Sequence, residues 1–251
     1  MEFKLLLLFV IGILTGFINI LAGGGSLITL PLLIFLGLPG SMANGTNRVA
    51  ILIQNLAAIM SYRQLNIFPW RPSLLAVPPA LLGTYIGATL AVNIPDHLFK
   101  PMLAAIMVGI TFLIWLDPAH RWNLQLPLPR AVKTGLFLLA FFFIGLYGGF
   151  IQAGIGFLLI TVLLISGFDM VTVNAIKILV VFVFTILALG IFIWHGQVNF
   201  AYGLALGLGS ALGGFIGTRV AVKKGHEWVK GFVIAMVILF AVKLVWDTWN
   251  L

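Results

Sequence analysis

The stretch GILTGFINILAGGGSLITLP, from Gly12 to Pro31, decides how this chain folds. Its apolar residues keep a helical pattern until Gly23, Gly24 and Gly25 interrupt it. Each glycine inside a helix costs about 1 kcal/mol relative to alanine, so three in succession predict a break. In hydrocarbon, a broken helix leaves N–H and C=O groups unpaired at several kcal/mol each. Such a break survives only inside protein or beside a water-filled cavity. The glycines therefore point to a cavity.

Composition places that cavity in a bilayer. Of 251 residues, 62% are hydrophobic and 8% charged, against about 25% charged in soluble domains. Long apolar runs recur from end to end, and no interval exceeds the ~20 residues of one span, so residues 1–251 read as a single transmembrane domain. The formal net charge of +8 fits Lys and Arg anchoring cytoplasmic loops rather than a nucleic-acid partner. Cysteine is absent, which removes disulfides, a thiolate nucleophile and a Cys metal site. The amino end, MEFKLLLLFVIGILTG, has the form of a signal peptide, but a second copy inside the chain assigns it to the mature fold.

That copy appears when the sequence is laid on itself with a shift of roughly 130 residues. Gly145 to Gln152 repeats Gly12 to Asn19, with Gln152 standing for Asn19. Gly154 to Thr161 follows Ala22 to Thr29, and Gly167 to Lys177 follows Gly37 to Asn47. Gly213 to Gly217 matches Gly83 to Gly87. The expected architecture is an all-α integral membrane protein of two inverted repeats, 1–117 and 134–251, around a basic central loop, 118–133. Each repeat holds five segments: 3–22, 26–37, 43–62, 72–92 and 98–116, then 134–154, 156–166, 172–194, 199–220 and 229–247. Eight approach the ~20 residues of a full span, and the two after the glycines do not. If those short segments turn back, Arg63, Arg71, Arg121, Arg130, Lys133, Lys223, Lys224 and Lys230 share one face, as the positive-inside rule favours.

All six acidic residues fall at segment ends or in loops, which weighs against a cation or metal permease. Arg48 and Lys177 lie about one turn inside nearly equivalent segments, after Asn44 and Asn47 in one and Asn174 in the other. They either snorkel to the interface or attract an anion into the cavity. Helices opening after Gly25 and Gly156 offer free N–H groups and a dipole that favours negative charge, with Ser26 and Thr29 adding hydroxyls. Gly12 and Gly16 suit close helix packing. Asn19 and Gln152, beside the two breaks, either orient a ligand or bond across helices, and Gln54 and Asn55 read as structural glue. The four histidines lie in loops with no metal spacing. Without paired carboxylates, a GxSxG or a mid-span His, no catalytic residue is assigned. A channel is the more serious rival to a carrier, since glycine breaks and helix dipoles also build selectivity filters.

The segments GFINILAGGGSLITLPLL and ANGTNR, with GGFIQAGIGFLLIT and YGLALGLGSALGGFIG in the second half, resemble the TauE/SafE family of sulfite-exporter permeases over essentially the whole chain. The resemblance implies a secondary transporter in a prokaryotic plasma membrane moving a small organosulfur anion: sulfite, thiosulfate, or a sulfonate such as sulfoacetate. An anion channel, or a permease for another small organic anion, is the alternative. The expected partners are that anion and the lipid bilayer, with a homodimer left open, and no cofactor or metal is expected. Substrate contacts are assigned to Asn19, Gly23, Gly24, Gly25, Ser26, Asn47, Arg48, Gln152, Gly154, Gly156, Asn174 and Lys177. The second motif, GIGF, lacks the fuller glycine run, so a milder second break is expected. The turn-back topology places both termini outside the cytoplasm. A reporter fused after Leu251 is expected to read non-cytoplasmic, and a cytoplasmic signal would refute that topology.

Overall fold

The computed structural model describes residues 2–64, 69–116 and 129–224. Among the described residues there are nine helices: α1 (Glu2–Ala22), α2 (Ser26–Phe35), α3 (Gly40–Gln64), α4 (Trp70–Ala91), α5 (Asp96–Leu116), α6 (Arg130–Phe150), α7 (Ile155–Ile165), α8 (Met170–Trp194) and α9 (Phe200–Lys224). Six are long and apolar enough to cross a membrane: α1, α4, α5, α6, α8 and α9. The protein is an all-α, multi-pass integral membrane protein. The expected segment at 229–247 and residues 118–128 of the central loop lie outside the described residues, while Arg130 and Lys133 belong to α6.

Helix α3 is the exception in composition. Its 25 residues span about 37 Å, enough to cross, yet Asn44, Thr46, Asn47, Arg48, Gln54 and Asn55 are all buried along it. A helix this polar is stable at membrane depth only when other helices surround it and supply partners. Helices α8 and α9 pack along it, with α1, α2 and α5 touching it more briefly.

The most extensive pairings join the two halves of the chain: α1 with α9 and α4 with α6. Both are backbone-close. Gly12 and Gly16 face the backbone of Leu206 and Ser210, while Gly145 and Gly149 face that of Ala80 and Thr84. Small residues four apart allow this approach, as their spacing predicts.

The first short helix turns back. Lys4 Nζ, near the start of α1, donates to Leu36 O at the end of α2, at 3.1 Å. A continuing α2 would carry Leu36 far from Lys4, so α1 and α2 form a hairpin.

The second break is not the milder one. Helix α6 ends at Phe150, four residues before the expected limit, and Ile151 is extended at φ −144° and ψ 127°. Gly154 then takes φ 68° and opens α7. At the first break only residues 23–25 leave the helix, with Gly23 at φ 76°. One left-handed glycine behind an extended residue breaks a helix as fully as a run of three, because conformation, and not glycine count, sets the interruption. Gln152 therefore stands in the break itself, and not in a helix.

The left-handed φ of Gly23 and its contact with the Gly156 backbone predict that Gly23→Ala destabilises the fold by about 2 kcal/mol or more, from strain plus overpacking. Gly190→Ala, whose Cβ would meet nothing within 4 Å, should melt close to wild type in detergent. Equal melting of both variants would contradict the contact.

Candidate functional site

The two breaks meet. The backbones of Gly23 and Gly156 lie so close that a Cβ on either would overlap the other's Cα. This contact gathers the C-terminal ends of α1 and α6 and the N-terminal ends of α2 and α7. Neither N-terminus has a side-chain cap.

The C-terminal carbonyls are capped by cations from the opposite half. Arg48, on α3, donates through Nη1 to Gly148 O at 2.9 Å and through Nη2 to Gly149 O at 2.6 Å, at the end of α6. Asn44 Nδ2 adds a bond to Phe150 O at 2.8 Å. Lys177, on α8, donates to Ile20 O at 2.9 Å and Asn19 O at 3.5 Å, at the end of α1. Asn174 Oδ1 accepts a further bond from it at 2.7 Å. Last-turn carbonyls have no partner within their own helix and carry the negative end of its dipole, so a cation there is doubly favoured. Arg48 and Lys177 are 0% and 3% exposed, which excludes snorkelling. The ring of Phe192 lies 4.7 Å from the Arg48 guanidinium carbon and closes that cap by cation–π contact.

Two small cavities flank the meeting point. One, of about 20 Å³, is lined by Asn19, Gly23, Ser26, Asn55, Gln152, Gly156 and Lys177, with Ile20, Ile51, Ile155, Ile178 and Val181. The other, of about 10 Å³, is lined by Thr15, Asn19, Gly25, Ser26, Thr29, Asn47, Ala50, Ile51, Gln54 and Ser210. Each is about the size of one water. A larger groove of about 870 Å³, beside Arg130 and Lys133, shares no residue with them.

Amides dominate the walls. Asn19 Nδ2 donates to Gln54 Oε1 at 3.2 Å, Thr29 Oγ1 to Asn47 Oδ1 at 2.6 Å, and Gln152 Nε2 to Thr185 Oγ1 at 2.7 Å. Their other ends are unused: Asn47 Nδ2, Gln54 Nε2, Asn55 Nδ2 and Gln152 Oε1 are buried without a partner. Each such group costs about 1–3 kcal/mol. All four belong to residues that line the two cavities. Among the described residues, neither cavity has a carboxylate in its wall, and no cluster of His, Asp or Glu could hold a metal.

The predicted residues thus divide. Asn19, Gly23, Ser26, Gln152, Gly156 and Lys177 line the first cavity, and Gly25 and Asn47 the second. Gly24 and Gly154 lie in the breaks, where their carbonyls accept from Leu27 N and Phe157 N. Arg48 and Asn174 stand behind the walls, in the caps. Gln54 and Asn55, read from the sequence as glue, belong to the walls. The signal in the sequence is two adjacent amides in mid-span, and Gln54 keeps the bonding role as well, accepting from Asn19.

Crossed breaks, buried caps and an amide-lined pocket in a multi-pass protein fit a membrane transporter, the class to which its relatives assign the chain. The description "Sulfite exporter TauE/SafE" belongs to the family model that matches residues 8–244. The chain belongs to the TauE/SafE family. It is 29% identical to a probable membrane transporter protein, ORF9, of Sinorhizobium sp, over 96% of this chain and 92% of that one. It is 27% identical to a probable membrane transporter protein of Haemophilus influenzae, over 97% and 95% of the two chains. It is 26% identical to the probable membrane transporter protein YfcA of Escherichia coli K12, over 96% and 89%. No solved structure matches the chain.

The cap geometry predicts that Arg48→Ala, which strips the Gly148 and Gly149 carbonyls of their donors, costs about 3 kcal/mol of stability at about 1–3 kcal/mol per orphaned group. The melting temperature in detergent should fall whether or not an anion is present. A loss seen only as weaker anion stabilisation would make Arg48 a ligand group instead.

Proposed function

We propose that this chain is a secondary transporter that carries a small organosulfur anion, such as sulfite, thiosulfate or a sulfonate like sulfoacetate, across a prokaryotic plasma membrane by alternating access. One observation carries the reading: Asn47, Gln54 and Asn55, which line the cavities at the crossing of two broken helices, each hold a buried amide donor without a partner. Lys177 stands beside them and no carboxylate opposes them among the described residues. Buried donors without acceptors in a low dielectric are chemistry for an anion. The family's description supplies the sulfur class.

Alternating access needs two bodies that can rock, and the two halves have the marks of inverted repeats. Left-handed glycines recur in step, at Gly23 and Gly154 and again at Gly37 and Gly167. The caps are reciprocal, α3 serving α6 and α8 serving α1. Cavities that hold one water each must widen before any sulfur oxyanion fits, which favours a carrier over an open channel.

Labelled sulfite uptake into proteoliposomes tests the reading. Asn55→Ala should lower uptake about tenfold, the worth of one hydrogen bond of about 1.4 kcal/mol. Saturation and stimulation by counter-substrate are expected, whereas single-channel currents would favour the channel. Absence of flux for every sulfur anion tested would overturn the substrate class.

A further inference from the structure

The walls of the two cavities also constrain the charge and protonation of what they hold. Lys177 is the one formal charge lining them among the described residues. It faces the C-terminal end of α1, whose dipole offsets about half a charge. Arg48 is turned to α6 and lines neither cavity. Glu2, Lys4, Arg63, Arg130, Lys133, Asp169, His195 and Arg219, on or next to the surrounding helices, lie toward helix ends and in neither wall. Tyr147 donates its hydroxyl to Ala153 O, and Tyr62 and Tyr202 line neither cavity. A fixed charge no greater than one can balance a monoanion. A dianion would keep uncompensated charge in a low dielectric, at a cost of several kcal/mol.

Hydrogen bonding points the same way. The unpartnered wall groups are three donors, Asn47 Nδ2, Gln54 Nε2 and Asn55 Nδ2, and one acceptor, Gln152 Oε1. Asn55 and Gln152 line the same cavity, and all four residues are at most 3% exposed. The two cavities share Asn19, Ser26 and Ile51 in their walls, and a ligand that spans them and satisfies all four groups accepts several bonds and donates one, to Gln152 in the first cavity. A sulfur oxyanion that has kept one proton does both.

Resting on the reading of the chain as a sulfur-anion carrier, we propose that the site binds the hydrogen form of its oxyanion, HSO3− rather than SO3 2−, with the O–H donated to Gln152 Oε1. The proton then crosses the membrane on the substrate. A proton relay of embedded carboxylates is unnecessary, which accords with walls that contain none among the described residues.

Purified protein in detergent is titrated with sulfite at several pH values above and below the second ionisation of sulfurous acid, with melting temperature as the readout. Methanesulfonate, whose single charge is constant there, is titrated in parallel. Initial uptake into proteoliposomes is measured with protein-free vesicles subtracting passive SO2 leak. Above that ionisation the apparent Kd for total sulfite should rise about tenfold per pH unit while that for methanesulfonate stays flat, the slope of one lost proton. In Gln152→Leu the preference for sulfite over methanesulfonate below that ionisation should shrink about tenfold. An affinity for sulfite that is constant or improves with pH means the dianion binds, which overturns the inference and leaves the sulfur-anion reading intact. Parallel loss of both ligands with pH assigns the effect to a titrating protein group and overturns it equally. Neither stabilisation nor uptake by either ligand at any pH overturns the underlying reading itself.

Discussion

The backbone contact between Gly23 and Gly156 is the constraint on which the rest of the structure depends. Two broken helices can touch main chain to main chain only where neither carries a side chain. A methyl group on either would part the four helix ends that converge there, and with them the walls of both cavities. The contact also explains why the halves are not separable. Each break leaves carbonyls that its own half cannot satisfy, and the donors arrive from the other, Arg48 across 100 residues of chain and Lys177 across 157. In a bilayer, where water cannot substitute, such reciprocal satisfaction is close to obligatory.

Burying two cations at membrane depth looks costly until their partners are counted. Arg48 has two helix-end carbonyls and Asn44, and Lys177 has two carbonyls and Asn174. Each cation meets the negative end of a dipole, so about half of its charge is offset within the fold. Only the remainder acts on a ligand. This division of labour accounts for the polar character of α3: one face near Asn44 and Arg48 ends a foreign helix, while Asn47, Gln54 and Asn55 line the space between the halves.

Much of this was legible in the sequence because it is written in local patterns. Three glycines in an apolar run predict a break, a second copy predicts another, and hydropathy places the helices to within a few residues. The amides at Asn19 and Gln152 stood out because they flank both breaks. What the pattern hid was tertiary. Spacing puts Arg48 one turn inside a helix but does not say that its partners are the carbonyls of Gly148 and Gly149. Gln54 bonds across helices to Asn19, as the sequence reading expects, and what the pattern does not show is that Gln54 and Asn55 also face the small cavities. The strength of the second break was misjudged because Ile151 takes an extended conformation that its side chain does not announce.

The bonds around the cavities differ in strength, and the difference bears on where within the site a ligand could insert. The caps are charge-assisted, worth about 1.5–3 kcal/mol each, whereas the amide contacts Asn19–Gln54, Thr29–Asn47 and Gln152–Thr185 are neutral and worth about 0.5–1.5. Opening along the caps would strand helix-end carbonyls in hydrocarbon. Opening along the amides gives up only bonds that an oxyanion can replace. Both Asn19–Gln54 and Thr29–Asn47 join α3 to the α1–α2 hairpin, so the weakest seam of the site runs between that hairpin and the polar helix. A ligand that inserts there exchanges neutral bonds for charged ones and satisfies donors that have no partner otherwise. In the proposed carrier, ligand binding draws on these neutral contacts, whereas the caps that join the two halves hold the helix ends.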